Sequence, residues 1–321
     1  MITALLLSAV LTAQQPSPMA GQERYIDLNG LRLHTIDWGG SGTVLIFLTD
    51  FTDSCSIFGE LAADLRNQFH CIGITRRGQA KSSRAEDYTV SLFANDIEGV
   101  MNAYQLKDAV LVGHGMAGDE ITYFAKVNPD RVKGLIYLDA AYHRANPPYS
   151  THLRDGYQPT PKKFLVNFGT YFDYCMQAFP KGFGESALQN IRDKCIELNP
   201  NTNQKEDDEA YRPVKERMDR ETGDALIRAQ LASNSDYSEL QVPALGIFAL
   251  LGPPKETPRE ARKTVMEELQ PWRDWEMEGI KQFKKAKRTT TVMMEGASHY
   301  PFIDRFADVK SAMRKFLMTL K

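Results

Sequence analysis

A short apolar run that passes through a tight, glycine-flanked turn into a helix constrains the fold of this chain more than any other stretch. The run is Val-Leu-Val at residues 110–112, and residues 113–118 that follow it read Gly-His-Gly-Met-Ala-Gly. The run is β-branched and too short for a helix, whereas the apolar residues after the turn recur at helical spacing until Pro129. The sequence therefore predicts a strand, a sharp turn and a helix in direct succession.

This succession resembles the nucleophile elbow of the α/β-hydrolase superfamily. In an elbow of the form G-x-S-x-G, flanking glycines permit a strained turn that lifts the central side chain into the active site. The usual version reads Gly-His-Ser-Met-Ala-Gly or close to it, and Gly115 stands where the serine is expected. The resemblance implies an α/β-hydrolase fold, with a mostly parallel central sheet, flanking helices and an inserted helical cap. It also implies an ester- or amide-cleaving lineage, yet Gly115 has no side chain that could attack a carbonyl.

Other stretches of the chain support the same resemblance. The N-terminal segment alternates around Asn29-Gly30, the strongest short-range hairpin signal. Residues 43–48 form a continuous apolar run, which is typical of a strand covered on both faces. Residues 76–83 look like the Arg-Gly-x-Gly-x-Ser segment of the family. We therefore predict a hydrolase core at residues 21–142 and 238–321.

The segment between the two parts of this core has a different character. Residues 143–237 have the position and size of the helical cap that many family members insert over the site, and their apolar side chains keep helical spacing. The aromatic residues there would line an apolar pocket for an acyl or aryl ligand, or they would pack the cap against itself.

The resemblance also assigns the two partners of the missing nucleophile. His299 lies in a Gly-x-x-His loop after the last apolar strand, which closely resembles the catalytic-histidine loop of the family. Asp139 directly ends a core strand, where a rigid element can orient an imidazole. In the order nucleophile, acid, base, the expected site is Gly115, Asp139 and His299, with Glu256 as the alternative acid. His114 is expected to serve packing and hydrogen bonding.

The oxyanion hole is the second point at which the chain departs from the family. The resemblance implies that the backbone amides of Met116 and of the Thr49 region would hold an oxyanion. The family usually has His-Gly after this strand, whereas here Asp50 and Asp53 follow Thr49. A carboxylate beside the developing negative charge would oppose its stabilisation. Alternatively, both aspartates turn to solvent or cap the helix that begins near Ile57.

Composition and charge favour small, neutral ligands. The chain has 321 residues, of which 42% are hydrophobic and 25% charged, and its formal net charge is −2. This is ordinary globular composition, with room for one core plus a lid. The near-neutral charge gives no general attraction to nucleic acid or to an anionic membrane. We expect a small-molecule ligand, no nucleic acid and no stable membrane insertion.

We expect neither a cofactor nor a metal ion. The four cysteines (Cys55, Cys71, Cys175 and Cys195) show no C-x-x-C spacing, and no histidine neighbours them in a zinc pattern. Cys71 lies in an apolar strand, which predicts a buried, inert thiol. A doubly wound nucleotide binder is disfavoured because the glycine turn does not lie in a first βαβ unit and lacks the acidic residue that ends its second strand.

The N-terminal 20 residues resemble a leader. Residues 2–13 are almost wholly apolar, too short to span a bilayer and suited to a signal-peptide core, with Ala13 as a candidate cleavage site. This predicts a secreted or periplasmic protein; a frayed N-terminus on a cytoplasmic protein is the alternative. If the chain is exported, a bridge between Cys175 and Cys195 is expected.

Three hypotheses about activity follow from a hydrolase site without its serine. In the first, the chain is a binding protein that no longer hydrolyses. In the second, Asp139 and His299 activate a water molecule in the space that the serine would fill. In the third, the serine was removed deliberately to trap a complex. Losing the nucleophile costs a serine protease about 10⁶ in turnover. The sequence therefore predicts weak or absent activity by the serine route.

Overall fold

The predicted hydrolase core accounts for most of what the structure describes. A computed structural model describes residues 21–142 apart from 29, 51 and 52, and residues 235–320 apart from 251, 253–258, 260 and 261, together with 225, 229 and 233. The predicted leader, nearly all of the predicted cap, Cys175, Cys195 and Glu256 lie outside these residues.

The described residues form one eight-stranded sheet with the order β1-β2-β4-β3-β5-β6-β7-β8. Strands β1 and β2 form the predicted antiparallel hairpin, β2 is antiparallel to β4, and all other neighbours are parallel. The mostly parallel sheet is confirmed. The strands are β1 (Gln22–Leu28), β2 (Leu31–Gly39), β3 (Val44–Leu48), β4 (His70–Ile74), β5 (Ala109–His114), β6 (Val132–Leu138), β7 (Ala244–Leu250) and β8 (Thr289–Glu295).

Helices cover both faces of this sheet, which explains why its central strands are apolar throughout. Successive side chains of a strand point to opposite faces. In β3, Leu45 and Phe47 join one core cluster, and Ile46 and Leu48 join another. The described helices are α1 (Gly59–Leu65), α2 (Val90–Ala103), α3 (Ala117–Val127), α4 (Arg262–Phe283), α5 (Pro301–Asp304) and α6 (Phe306–Leu317).

The two core clusters separate these helices by face. Residues of α1 and α6 pack in the cluster that contains Leu45, whereas residues of α2, α3 and the end of α4 pack in the cluster that contains Ile46. Cys71 belongs to the first cluster, where it is free and fully buried, as the apolar strand predicts. Among the helices described, none has the length and hydrophobicity needed to cross a membrane.

Parallel pairing brings the carboxyl ends of four strands to one edge of the sheet. The loops after β3, β5, β6 and β8 carry Asp50, Gly115, Asp139 and His299 respectively. Open α/β sheets bind ligands at the carboxyl ends of their strands. The topology therefore assembles one site from residues that are far apart in sequence.

The start of α3 is held closely against the loop after β6, and Gly118 permits this approach. A Cβ atom on Gly118 would overlap the backbone carbonyl of Ala140, whereas one on Gly99 in α2 would meet only the flexible end of Leu28. We expect Gly118→Ala to lower the free energy of unfolding by about 2 kcal/mol or more, because the Ala140 carbonyl belongs to the backbone and cannot move aside without displacing the loop.

Gly99→Ala is the matched control for this prediction. Alanine gains about 1 kcal/mol of helix propensity over glycine, which offsets the repacking of Leu28. Denaturant unfolding of the two variants measures the difference. Equal unfolding free energies would contradict the close packing of α3 on the β6 loop.

Candidate active site

The predicted elbow is formed by β5, a turn at Gly115 and α3. Gly115 has a φ of +54°, in the left-handed region that most side chains avoid. Its N–H donates to the carbonyl of Leu138, and its own carbonyl accepts from the N–H of Gly118. The strand, strained turn and helix that the sequence predicts are thus present, with no side chain at the apex.

The carboxyl group of Asp50 occupies the space next to that apex. A Cβ atom built on Gly115 would overlap all three terminal atoms of the Asp50 side chain. The backbone N–H of Met116 donates to Oδ1 of Asp50 at 2.7 Å. The side chain expected at the elbow is therefore replaced in space by a carboxylate from the loop after β3.

The imidazole of His299 lies between two carboxylates. Its Nδ1 is 2.6 Å from Oδ2 of Asp139, and its Nε2 is 2.9 Å from Oδ2 of Asp50. Because a carboxylate only accepts hydrogen bonds, both ring nitrogens donate when both contacts are made. The geometry thus favours the doubly protonated imidazolium.

The electrostatics of the site agree with this protonation state. Burial alone would lower the pKa of His299, but the hydrogen bonds to Asp139 and Asp50 raise it to about 10. Burial opposes ionisation of Asp50, yet its hydrogen bonds from His299 and from the Met116 amide hold its pKa far below the usual range. At neutral pH a cationic His299 therefore faces an ionised Asp50.

Asp139 is fixed by several donors at the end of β6. It has a φ of +50°, which aspartate tolerates better than most side chains. Its Oδ1 accepts from the N–H of Ala249 at 2.8 Å and from the hydroxyl of Tyr142, while Oδ2 faces His299. The structure thus brings the predicted acid and the predicted base together in a rigid pair.

His114 has the packing and hydrogen-bonding place predicted for it. Its ring is fully buried, and its Nε2–H donates to the carbonyl of His299 at 2.8 Å. Burial lowers the pKa of His114 to about 3, so it is neutral at pH 7. This hydrogen bond ties the histidine loop to β5 and so helps to position His299.

Of the two alternatives for Asp50 and Asp53, the one in which they turn to solvent or cap a helix is wrong. They are 3% and 0% exposed, and Ser54 instead caps the turn that begins at Cys55. Burial raises the pKa of Asp53 well above its ordinary value, which favours the neutral acid. Both aspartates are buried in the site because the loop after β3 lies at the same edge of the sheet as the elbow.

The two expected oxyanion donors have different surroundings. The N–H of Met116, one of the two, already donates to Asp50, so a substrate oxygen would have to displace a carboxylate. Thr49 is buried and lines a small cavity together with the buried Arg76, whose guanidinium pairs with Glu120. Burial raises the pKa of Glu120 to about 7.

Comparison with known proteins agrees with this fold. A family model described as the alpha/beta hydrolase fold matches residues 43–180. The meta-cleavage product hydrolase of Pseudomonas fluorescens IP01 superposes with a TM-score of 0.64 at 15% identity, covering 95% of this chain and 100% of that one. The chain has the alpha/beta hydrolase fold.

Two curated proteins match the chain over part of their length. A 2-(acetamidomethylene)succinate hydrolase of Mesorhizobium japonicum is 30% identical over 118 residues, which is 36% of this chain and 42% of that protein. Epoxide hydrolase A of Mycobacterium tuberculosis is 27% identical over 181 residues, which is 53% of this chain and 51% of that protein. The matches thus span about half, or less, of these relatives.

Sequence reasoning left the place of Asp50 open between the oxyanion site and the solvent, and the structure places it in the site. The sequence did contain a signal, because the chain departs from the family pattern both at the elbow and in the loop after β3. Gly115 and Asp50, the residues at which the chain departs from the pattern, are in contact. The Asp50 carboxylate therefore takes the space of a side chain at residue 115. The alternative acid, Glu256, lies outside the described residues.

We expect His299 to remain an imidazolium across the neutral range. Titration of its ring nitrogens by ¹⁵N NMR should show both protonated at pH 7, with deprotonation near pH 10. Asp50→Asn and Asp139→Asn should each lower this pKa, because each removes one of the two hydrogen-bond acceptors that raise it. A neutral ring at pH 7 in the parent protein would contradict the arrangement.

The same shift makes the stability conferred by His299 depend on pH. Its pKa is raised in the folded state above the ordinary 6.5, so its contribution is complete below about pH 6.5 and is lost as the pH rises through about 10. The unfolding free energy of the parent relative to His299→Gln should therefore decrease between pH 6 and pH 10. A difference that increases over this range would contradict the raised pKa.

Proposed function

We propose that this chain has an α/β-hydrolase-type site for a small molecule and that this site does not catalyse acyl transfer. It is inactive, or nearly so, on esters and amides by the serine route. The observation that carries the proposal is the Asp50 carboxylate in contact with Gly115, Met116 and His299. The ligand class by resemblance is a small apolar acyl or aryl compound.

Each requirement of acyl transfer fails for a separate physical reason. Gly115 supplies no nucleophile. The Met116 amide holds a negative carboxylate where a second negative oxygen would have to develop, which opposes oxyanion stabilisation. His299, already protonated, cannot take a proton from a hydroxyl or a water.

The same contacts weigh against the other two hypotheses. A water activated by His299 and Asp139 would need the space next to Gly115, which the Asp50 carboxyl group fills. A serine removed deliberately would leave a cavity, whereas Gly115 fits the neighbouring carboxylate. A natural exchange of both residues, with a retained ligand site, is the hypothesis that these contacts favour.

Restoring the serine tests the proposal, and it requires two substitutions. Gly115→Ser alone should remain inert, because its side chain overlaps Asp50. Gly115→Ser combined with Asp50→Gly should hydrolyse p-nitrophenyl acetate and butyrate faster than the parent by about 10²-fold or more, a fraction of the roughly 10⁶ that a nucleophile contributes in a serine protease. The matched control is Asp50→Gly alone, which frees the Met116 amide without supplying a nucleophile.

Two outcomes would overturn the proposal. The first is ester hydrolysis by the parent protein that His299→Ala abolishes, since it would establish a working base in the native site. The second is full activity of Gly115→Ser alone, since it would show that Asp50 does not occupy the space of the serine side chain. Circular dichroism of each variant confirms that it is folded.

A further inference from the structure

Two consecutive arginines in the loop after β4 are both buried, yet they differ in their partners. Arg76 is 5% exposed and Arg77 is 8% exposed. The guanidinium of Arg77 donates two hydrogen bonds of 2.7 Å to Asp96 and two longer ones to the backbone carbonyls of Asp87 and Leu92. Arg77 is therefore a structural residue whose charge and donors are matched within the protein.

Arg76 carries the same charge with far fewer partners. Its Nη2 pairs with Glu120, whereas its Nε and Nη1 are buried with no hydrogen-bond partner among the residues that the structure describes. The ring of Phe93 lies over the guanidinium, with Cζ 5.1 Å from the ring centroid, so the donors at its edge stay available. Because buried polar groups are nearly always hydrogen-bonded, these donors indicate an acceptor that the described residues do not supply.

A small cavity beside Arg76 provides the place for this acceptor. The cavity lies where β3 and β4 end against α2 and α3, and its polar lining residues are Thr49, Arg76, Asp96 and Glu120. The hydroxyl of Thr49 is also buried, and it too has no hydrogen-bond partner in the described part of the chain. The volume of the cavity is about 10 Å³, room for about one water-sized group. Donors from two loops thus border a space that suits a single small acceptor.

The charges around the cavity favour an anion as this acceptor. Asp96 is paired with Arg77, which leaves Glu120 as the counterion of Arg76. Burial raises the pKa of Glu120 to about 7 despite the attraction of Arg76, and repulsion from Asp96 and Asp119 adds to the rise. Near pH 7 a large fraction of Glu120 is therefore uncharged, whereas a guanidinium stays protonated. A buried charge without an ionised partner is costly, and a bound anion would compensate it.

We propose that this cavity binds a small monovalent anion, which accepts hydrogen bonds from Arg76 and Thr49 and serves as the counterion of Arg76. Its source is a free halide such as chloride or the carboxylate end of a small ligand, since both present one negative acceptor to these donors. The anion would tie the loop that carries Asp50 to β4 and α3, because Thr49 directly precedes Asp50. The anion site goes beyond the proposed function, since neither Asp50 nor His299 takes part in it.

Thermal unfolding of the full-length chain tests the proposal, with sodium chloride, sodium acetate and sodium benzoate as probes. At pH 6 we expect at least one of these salts to raise the Tm by about 2 °C when its concentration is about five times its dissociation constant. Acetamide and benzamide resemble the two carboxylates in shape but carry no charge, so they should leave the Tm unchanged. The ³⁵Cl NMR line width measures exchange of chloride with the site directly.

Three variants make the assignment specific to this cavity. Arg76→Gln removes the cation and should abolish the shift, while any general effect of salt on stability remains in that variant. Thr49→Val keeps the shape of the side chain but loses one donor, so it should weaken binding by about tenfold. Glu120→Gln removes the carboxylate that competes for Arg76, and it should bind the anion at least as tightly as the parent at pH 6.

The competition between Glu120 and the anion makes binding depend on pH. Since ionised Glu120 pairs with Arg76, the affinity of the parent should fall by about tenfold between pH 6 and pH 8. The three probe anions stay charged over this range, as acids weaker than a protonated carboxyl group are absent from them. In Glu120→Gln, where Arg76, Asp96 and Asp119 still face the same position, the affinity should be independent of pH.

The outcomes separate the two sources of the anion from a site that binds none. A shift with chloride supports a free ion, and a shift with acetate or benzoate alone supports the carboxylate of a ligand. No shift with any of the three salts, or an equal shift in Arg76→Gln, overturns the inference and leaves a water as the acceptor. Circular dichroism checks that Arg76→Gln is folded. If it is not, an equal pH dependence in the parent and in Glu120→Gln overturns the inference instead.

Discussion

The contact of Asp50 with the elbow and with His299 determines the chemistry of this structure. Its carboxylate binds the Met116 amide through one oxygen and the His299 ring through the other, in the space that a side chain at residue 115 would need. Removing a partner from a buried ionic array leaves an uncompensated charge, which costs about 3–5 kcal/mol. Gly115, the imidazolium form of His299 and the engaged amide are therefore parts of a single arrangement.

The sheet topology makes this arrangement possible. Asp50, Gly115, Asp139 and His299 each follow a different strand, and parallel pairing brings the ends of those strands to one edge. The rigid core controls the geometry, since the elbow turn, the Asp139 backbone and the histidine loop are each tied to neighbouring strands by hydrogen bonds. A change in one loop therefore alters the chemistry without altering the fold, as superfamilies built on one fold commonly show.

The sequence predicted those features that depend on periodicity and local turns. The Asn29-Gly30 hairpin, the apolar strands and the elbow all have strong local signals. The pairing of Asp139 with His299 was expected from the resemblance, because the strand order of the family brings these two residues together. The orientation of Asp50 has no local signal of this kind, only the departure of its loop from the family pattern. Aspartate after a strand suits a cap or a solvated loop equally well, and only the contact across the site shows that the two departures from the family pattern compensate each other.

A double-mutant cycle of unfolding free energies tests the central claim most directly, with Gly115→Ala, Asp50→Gly and the combined variant compared with the parent. If the two residues share one space, Gly115→Ala should cost about 3 kcal/mol in the parent, where it overpacks a buried site. In the Asp50→Gly background it should cost only the backbone strain at positive φ, about 1 kcal/mol. A coupling energy above about 1 kcal/mol supports the account, and effects that add within about 0.5 kcal/mol would contradict it.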